Sequence, residues 1–379
     1  MLAVKNSDPE DGVLRVGSLN HGILKSAAVF GPNSSGKSYL FEAVESLQKI
    51  VRAGRDGPMP EYFPFRLSDK CLNAPTEMTL ELLVDGIVYR YSIKYGADGV
   101  VSESLYHSPN GKRIPAFLRG EAGEKMDPVV RDRLTASTAY LAIAPGYNYP
   151  ICNMVLREIQ NIIVIHQSYD RFVEESYRIA MRDPEIKEMM ESGLDAADLV
   201  TGFFGEEHTM PGRRPNSSDT GYGMTYIDIQ LVHDFKEADV DSRMLTFPLD
   251  IESNGTVEMF SMMGPVAKAL KEGKTLLIDE FGSNLHPMLT RWIMGLFNYE
   301  SNVNGAQLVV NTHDLGLMDI TDVFRRDQIW FTNKDRFSGK CELYALSDFK
   351  GVRKGSDIRN DYLYGRYDAV PHVIGVRKL

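Results

Sequence analysis

The sequence has few cysteines and no long apolar run. Its three cysteines, at positions 71, 152 and 341, lie far apart and form no CxxC pair or cluster with histidine. That spacing argues against a disulfide framework and against a zinc site. No apolar stretch approaches the roughly 18 residues that cross a bilayer, and residues 1–12 are too polar and acidic for a signal peptide. These absences predict a cytoplasmic protein that does not act at a membrane.

An excess of positive charge, internal repeats and heptads are also missing. The formal net charge is −10, which argues against a globally basic nucleic-acid binder but leaves a local basic patch open. Without sustained heptads, we expect no long coiled coil. The 379 residues are 43% hydrophobic and 25% charged, ordinary values for a globular chain that is long enough for several lobes.

Residues 31–38 carry the most specific motif of the chain, Gly-Pro-Asn-Ser-Ser-Gly-Lys-Ser, which fits G-x-x-x-x-G-K-[ST] at every defined position. We call this segment the phosphate loop. The apolar run 27–30 predicts a strand before it, and residues 39–47 predict a helix after it. Backbone N–H groups of such a loop wrap a phosphate, and the helix N-terminus adds partial positive charge. The predicted ligand is a nucleoside triphosphate, bound by Asn33, Ser34, Ser35, Gly36, Lys37 and Ser38. Lys37 is expected to reach the β- and γ-phosphates, and Ser38 to ligate Mg²⁺.

Two further apolar runs end in polar side chains suited to nucleotide chemistry. Residues 274–278 are followed by Asp279 and Glu280. We expect Asp279 to hold the metal, through water or Ser38, and Glu280 to polarise the attacking water. Residues 308–312 precede His313. In open α/β sheets ligands bind at the carboxyl ends of the strands, so His313 is placed to hydrogen-bond a γ-phosphate or the attacking water.

The rest of the chain predicts additional lobes. Between residues 76 and 106, three alternating runs are separated by the turn pairs Asp85-Gly86 and Asp98-Gly99, which predicts an antiparallel meander. Residues 128–160 favour helices, and residues 162–165 a buried strand. Residues 170–200 favour charged helices, and 205–223 an exposed loop rich in glycine, proline, serine and asparagine. The predicted divisions are an N-terminal lobe 1–165, an insert 166–248 and a C-terminal lobe 249–379.

The phosphate loop, Asp279-Glu280, residues 283–287 and His313 together resemble an ABC-type ATPase head of the kind that includes SMC, RecF and OLD-like proteins. Residues 252–256 (Glu-Ser-Asn-Gly-Thr), which we call the signature segment, open a predicted helix that runs through Leu270. They depart from the transporter form LSGGQ and match the S-x-G-T form of compact bacterial ATPases. Residues 327–332, 342–349 and 365–367 resemble the "AAA15" ATPases, which are RloA- or AbiL-like. The implied fold is an α/β ABC-type P-loop ATPase head with a mixed sheet, an antiparallel β-rich lobe, a helical insert and no long coiled coil.

The resemblance also implies a composite site. In such heads ATP and Mg²⁺ are sandwiched between two copies, so Ser253 and Gly255 would face the phosphate loop of a partner in a homodimer or higher oligomer. The loop that joins the lobes usually supplies a glutamine, and Gln167 is the candidate nucleotide and metal ligand. Two alternatives stay open: Ser253 as an ordinary helix N-cap, and Gln167 as a surface residue. His286 stands where many ABC heads carry aspartate, and we assign it no role.

ATPases of the AAA15 group are commonly part of anti-phage abortive-infection modules, encoded beside a nuclease of Toprim or HNH type or a toxin. The chain shows no nuclease motif of its own, so any cleavage is expected from such an effector. The alternative function is a RecF-like DNA-repair ATPase that binds DNA directly. A third possibility is a head that binds ATP but hydrolyses it slowly, because slow turnover leaves every motif intact. Residues 350–379 carry seven Lys/Arg against three Asp, a net charge of +4. That tail is either a contact patch for nucleic acid or an acidic partner, or a solvated surface.

Overall fold

The structure is a computed structural model that describes residues 12–16, 19, 21–53, 60, 62–166, 169–213, 220–235, 243–320, 323–353 and 355–371. Its strands are β1 Val13–Leu14, β2 Ile23–Leu24, β3 Ser26–Phe30, β4 Thr76–Val84, β5 Ile87–Gly96, β6 Gly99–Ser108, β7 Ile114–Arg119, β8 Ile163–Ile165, β9 Gly202–Arg213, β10 Thr220–Phe235, β11 Arg243–Pro248, β12 Thr275–Ile278, β13 Gln307–Asn311, β14 Ile329–Lys334 and β15 Cys341–Ala345. Its α-helices are α1 Lys37–Ile50, α2 Asp69–Leu72, α3 Pro128–Arg131, α4 Tyr140–Ile143, α5 Pro150–Asn161, α6 Tyr169–Arg182, α7 Pro184–Ala196, α8 Asn254–Glu272, α9 Pro287–Asn298 and α10 Ile358–Leu363.

A mixed sheet of six strands forms the centre of the molecule, in the order β15-β14-β3-β13-β12-β8. Only β15 runs antiparallel to its neighbour; the others pair in parallel. Strand β3 is buried at every residue, as expected of a parallel strand covered on both faces. Because the strands are parallel, β3, β8, β12 and β13 end at the same edge of the sheet. The sequence segments that follow them are therefore brought together there.

The antiparallel lobe is a four-stranded sheet in the order β4-β5-β6-β7. The two-residue turn between β4 and β5 places Asp85 at φ 48° and Gly86 at φ 75°, the backbone that a tight hairpin needs. Side chains of β5, β6 and β7 pack with α3, α4, α5 and the end of α1 in a core of their own. The predicted meander and the helices that follow it are confirmed.

A second antiparallel sheet, in the order β11-β10-β9, corrects the predicted loop at residues 205–223. Strand β9 extends to Arg213 and β10 starts at Thr220, so most of that range is paired strand. Its glycine- and proline-rich composition suggested a loop, but strand formation depends on pairing and on a packed face. Here Phe203 of β9 and Ile229 and Leu231 of β10 are buried in the main core.

The helical insert lies against the signature helix α8. Pro265 has no N–H, so the carbonyl of Ser261 loses its partner within the helix. The hydroxyl of Ser176 on α6 donates to that carbonyl at 2.5 Å, and a Cβ on Gly264 would lie only 2.7 Å from Ser176 Cα. The two helices therefore pack in close backbone contact around Gly264. Asp183 caps α7, as the Asp-Pro pair predicts.

The predicted α/β fold, with its mixed sheet, antiparallel lobe and helical insert, is confirmed. The longest helix in the described ranges is α8, with 19 residues, so this part of the chain holds no long coiled-coil arm. None of the helices in these ranges combines the length and apolar character of a membrane span. In the C-terminal tail, Tyr362 and Tyr367 stack on Phe331 of the central sheet, whereas Tyr364 is 88% exposed.

Candidate functional site

The phosphate loop joins β3 to α1 at the carboxyl edge of the central sheet. Ser34 at φ 62° and Gly36 at φ 95° give the loop left-handed turns, which make successive N–H groups converge. Gly36 is the N-cap of α1 and forms no side-chain capping bond, so the first turn of the helix has no built-in side-chain acceptor. A Cβ on Gly31 would lie 2.3 Å from Thr332 Oγ1, which leaves room only for glycine.

The predicted loop residues divide by exposure. Asn33 and Ser34 are exposed at the tip of the loop, whereas Ser35 is buried. The hydroxyl of Ser35 is 2.6 Å from that of Thr332 on β14, a hydrogen bond that anchors the loop to the sheet. This hydrogen bond is non-local, because the two residues lie almost 300 positions apart in the chain. No sequence motif predicts a role for Thr332.

Lys37 lies over the mouth of the loop. Its Nζ donates to the carbonyl oxygens of Gly31 at 2.8 Å and Pro32 at 3.0 Å. Burial lowers the pKa of the Lys37 ammonium, and the carboxylates of Asp279 and Glu280 act in the opposite direction. Lys37 is therefore a buried cation held at the point where a phosphate would enter.

Ser38 and Asp279 meet across the sheet edge. The hydroxyl of Ser38, in the first turn of α1, donates to Asp279 Oδ1 at 3.0 Å. Asp279 follows β12 directly, and its own N–H donates to the carbonyl of Ile165 on β8 at 2.8 Å. The side chain of Asp279 is thereby fixed, with its carboxylate directed at the phosphate loop. A hydroxyl beside a carboxylate is the donor set that Mg²⁺ takes in nucleotide sites.

Glu280 leaves the strand in a left-handed backbone conformation, at φ 54°. Such a conformation is uncommon for a residue other than glycine and is concentrated at functional sites. Partial burial, followed by the charge of Asp279, raises the pKa of the Glu280 carboxyl, while Lys37 opposes the shift. A raised pKa makes this carboxylate a better proton acceptor than an exposed glutamate.

Asn311 is a site residue that sequence reasoning missed. It ends β13, is 1% exposed, and its amide Nδ2 donates to Asp279 Oδ1. Its Oδ1 accepts from the N–H of Glu280 at 2.7 Å, and its backbone oxygen accepts from Phe281 at 2.9 Å. The side chain of Asn311 therefore fixes the carboxylate of Asp279 and the backbone of Glu280. The available signal was its position at the end of a strand, two residues before His313.

His313 follows β13 at the same edge. Although part of the residue is exposed, loss of water around the imidazole lowers its pKa, and the charge of Lys37 lowers it further. His313 follows β13 and Lys37 follows β3, and these neighbouring parallel strands end at the same edge of the sheet. The lowered pKa favours the neutral ring, which has one N–H donor and one acceptor nitrogen.

His166, at the end of β8, also faces this site. Its Nδ1 is 3.4 Å from Asp279 Oδ2. Its Nε2 is 3.1 Å from Glu45 Oε1 on α1, although not in line for a hydrogen bond. The next residue, Gln167, which the resemblance implied as a nucleotide and metal ligand, lies outside the described residues. The contact of His166 with Asp279 shows that the residues after β8 reach the carboxylate that is predicted to hold the metal.

Ser253 and Gly255 stand at the exposed end of α8 and apart from these residues. Ser253 is the N-cap of the helix, and its Oγ accepts from Thr256 N at 3.1 Å. In the ranges that the structure describes, neither residue forms a hydrogen bond or ion pair with the phosphate loop or with Asp279. The capping role is therefore observed, and any role toward a nucleotide stays a prediction.

The residues at this edge fit a nucleoside triphosphate with Mg²⁺. The loop has two glycines where a Cβ would collide or strain the backbone, a buried lysine, and a hydroxyl paired with a carboxylate. Glu280 and His313 follow the neighbouring parallel strands β12 and β13 at the same edge of the sheet. Phosphate would be held by the loop N–H groups and Lys37, and the metal by Ser38 and Asp279.

A family profile described as "AAA domain, putative AbiEii toxin, Type IV TA system" matches residues 26–319. The match includes the phosphate loop, Asp279, Glu280 and His313. The chain belongs to this family. It is therefore a P-loop domain of the AAA type, and the candidate site residues 31–38, 279, 280 and 313 lie within the matched range.

Several solved structures are similar in overall form. The SMC head domain from Thermotoga maritima is 13% identical, with a TM-score of 0.41 over 88% of this chain and 96% of that one. The Smc head domain with an extended coiled coil bound to the C-terminal domain of ScpA, from Pyrococcus furiosus, is 14% identical, with a TM-score of 0.36 over 86% and 92%. The protein cbiO1 from Clostridium perfringens, part of the ABC transporter complex cbiONQ, is 12% identical, with a TM-score of 0.32 over 89% and 87%. No curated protein matches the chain.

Proposed function

We propose that this protein is an ABC-type ATPase of the AAA15 group, which binds and hydrolyses ATP as a homodimer or higher oligomer and regulates a partner effector in bacterial anti-phage defence. The observation that carries the proposal is the meeting of Lys37, Ser38, Asp279, Glu280 and His313 at one edge of the central sheet. Phosphate binding, metal binding and water activation each have a residue there. The cell compartment proposed for this activity is the cytoplasm.

The chemistry follows from what each side chain can do. Lys37 would leave the carbonyls of Gly31 and Pro32 and donate to phosphate oxygens instead. Ser38 and Asp279 would hold a Mg²⁺ ion that enters with ATP, and the ion would neutralise phosphate charge. Glu280 accepts a proton from the attacking water, for which its raised pKa suits it.

The neutral ring of His313 can donate to a phosphate oxygen or orient the water. The lowered pKa favours this neutral ring. A second proton would leave two N–H donors and remove the nitrogen that can accept from the water. Asn311 holds Asp279 and Glu280 in place through its amide, which fixes the distance between the metal ligand and the base.

The site is proposed to be completed by a second copy of the chain. Ser253 and Gly255 lie at an exposed helix N-terminus, where a hydroxyl and backbone N–H groups can face a phosphate. Hydrolysis would then depend on the association of two heads. Gln167 is kept as a nucleotide and metal ligand in this proposal.

A direct test of the ATPase proposal uses Glu280→Gln. The variant should bind ATP with Mg²⁺, hydrolyse it slowly and accumulate as an ATP-dependent dimer in size-exclusion chromatography with light scattering. A variant that turns over ATP like the wild type, or stays monomeric with saturating ATP, contradicts the assignment of Glu280 or of the composite site.

The regulatory role is tested in cells that carry the native locus with its neighbouring genes. The family description names a toxin–antitoxin system, which supports a partner protein for this chain. The partner that we propose, from the resemblance, is a toxin or a nuclease of Toprim or HNH type. Phage plating efficiency should fall with the wild-type locus and recover with Glu280→Gln. No protection against a broad phage panel contradicts the defence role. DNA-stimulated ATPase activity with a steep salt dependence would then favour direct DNA binding in repair.

A further inference from the structure

Glu258 is a buried carboxylate in the second turn of α8, 1% exposed, that the chemistry above does not use. Its Oε1 accepts from the N–H of Gly282 at 3.1 Å. Its Oε2 accepts from the N–H and from the side-chain Nδ2 of Asn284, both at 2.9 Å. All three donors belong to residues 279–286, the segment that begins with the Asp-Glu pair and that we call the carboxylate loop.

A buried carboxylate is retained at low cost only where several donors satisfy it, and here the donors are mainly backbone groups. Backbone donors cannot rotate away, so the carboxylate fixes the path of the loop itself. Gly282, at φ 78°, is further confined because a Cβ there would lie 2.3 Å from Thr290 Cγ2. The carboxylate loop is thus fastened to α8 in its middle.

The start of the carboxylate loop is also held by hydrogen bonds at the carboxyl edge of the central sheet. The N–H of Glu280 donates to Asn311 Oδ1 at 2.7 Å, and the carbonyl of Phe281 accepts from Thr312 Oγ1 at 2.8 Å. Only one residue, Phe281, separates Glu280 from the first donor to Glu258. A shift at Gly282 or Asn284 is therefore passed directly to the backbone of Glu280.

The other end of this connection is the signature segment. Ser253 caps α8 one turn before Glu258, and a Cβ on Gly255 would lie 3.0 Å from the carbonyl oxygen of Asn284. The signature segment and the carboxylate loop are therefore packed together with almost no spare room. Glu258 adds hydrogen bonds to this contact.

We infer that Glu258 is a positioning residue, which couples the signature segment of each chain to Glu280 of the same chain. Occupation of the partner's nucleotide site, sensed at Ser253 and Gly255, would thereby set the orientation of the base in the chain's own site. The inference rests on the proposed composite dimer. It makes the two sites of the dimer interdependent without any contact between their nucleotides.

The test compares Glu258→Gln and Asn284→Ala with the wild-type protein. In Glu258→Gln an amide NH₂ faces N–H donors, which breaks the connection while keeping the shape of the side chain. Asn284 is exposed, so Asn284→Ala removes one hydrogen bond with little risk to folding. The matched control is Glu103→Gln, which alters another buried carboxylate that accepts from backbone N–H groups, in the antiparallel lobe.

Both test variants should bind ATPγS as the wild type does and keep KM within about twofold, because the phosphate loop is untouched. We expect kcat per folded molecule to fall about tenfold in Glu258→Gln, and less in Asn284→Ala. Any Hill coefficient above one for ATP hydrolysis should fall to one in Glu258→Gln. Glu103→Gln should lower the melting temperature without changing kcat per folded molecule.

Two results overturn the inference. If Glu258→Gln loses stability like the control but retains its kcat and Hill coefficient, Glu258 is only structural. If Asn284→Ala and Glu258→Gln both match the wild type throughout, the connection carries no coupling. If the wild-type protein neither hydrolyses ATP nor forms an ATP-dependent dimer, the proposed function itself is contradicted. The inference about Glu258 is then contradicted as well, because it rests on that function.

Discussion

Two glutamates of this protein, Glu103 and Glu280, have raised pKa values, and burial is the largest cause in both. Glu103 is fully buried in the antiparallel lobe. It accepts from the N–H groups of Tyr140 at 2.5 Å and Leu141 at 2.9 Å, and from the hydroxyl of Tyr91 at 2.9 Å. Glu280 is partly exposed, lies in a left-handed backbone conformation and faces Lys37 and Asp279.

The difference between them distinguishes a structural carboxylate from the one that we propose as the catalytic base. Every partner of Glu103 named above comes from its own lobe, so its carboxylate holds β5, β6 and α4 together and is closed to solvent. Glu280 stands at the carboxyl edge of parallel strands, where a ligand can enter. A raised pKa alone therefore does not mark a functional site, whereas its combination with access and strained backbone does.

The largest effect is expected from Lys37→Ala. The substitution removes the buried cation from the candidate nucleotide site, which contains Glu280 and not Glu103. ATP binding should fall below detection in isothermal titration calorimetry. The fold should remain, since Lys37 bonds only to carbonyls of its own loop among its described contacts. Undiminished ATP binding by a folded variant would show that the phosphate loop is not the nucleotide site.

Glu280→Gln should lower kcat by about 100-fold or more, the range for loss of a general base. ATP binding should be kept, because the phosphate loop and Asp279 are unchanged. Single-turnover measurement with excess enzyme separates this effect from slow product release. If Glu280→Gln hydrolyses ATP as fast as the wild type, another residue is the base, and Glu280 does not differ from Glu103 in having a catalytic role.

Glu103→Gln should give the opposite result. Its amide NH₂ would face the N–H groups of α4 or the hydroxyl of Tyr91, so we expect a loss of about 3 kcal/mol in the free energy of unfolding. Turnover per folded molecule should not change. The measurement is urea unfolding followed by circular dichroism, with kcat taken at a urea concentration where the variant is folded. A changed kcat would show that the antiparallel lobe acts on the site.

The smallest effect is a pH-dependent gain in stability for Glu280→Gln. Because the folded protein raises the Glu280 pKa above its ordinary 4.5, the unfolded chain ionises more readily, and ionisation costs stability at neutral pH. Glutamine cannot ionise, so the variant should melt slightly higher than the wild type at pH 7. The gain should vanish below pH 4.5, where the carboxyl is protonated in both states. A variant less stable at pH 7 would contradict the direction of the shift.

Local signals in the sequence were enough for much of the fold and half of the site. The phosphate loop, the Asp-Gly turns of the meander and the strand before Asp279 are each encoded by a few consecutive residues. Asn311, His166 and Glu258 act on residues that are distant in sequence, and their roles appear only when strands and helices are placed side by side.

The sequence predicts a loop where β9 and β10 pair, and the reason is related. Its glycines and prolines weaken each strand by itself, and its stability comes from pairing with β11 and from the packing of Phe203 and Leu231 on the main core. Amino-acid composition indicates the low intrinsic strand propensity of this segment, but not the stability that it gains from pairing and packing.

In the dimer that we propose, Ser253 and Gly255 of one chain complete the nucleotide site at the sheet edge of the other. The most direct measurement mixes two variants, Lys37→Ala and Ser253→Arg, that should each be inactive alone. In a mixed dimer one site has an intact Lys37 facing an intact Ser253, so an equal mixture should recover up to about a quarter of wild-type ATP turnover. If the mixture stays inactive while both variants are folded and the wild type hydrolyses ATP, or if Ser253→Arg alone is fully active, the composite site is contradicted.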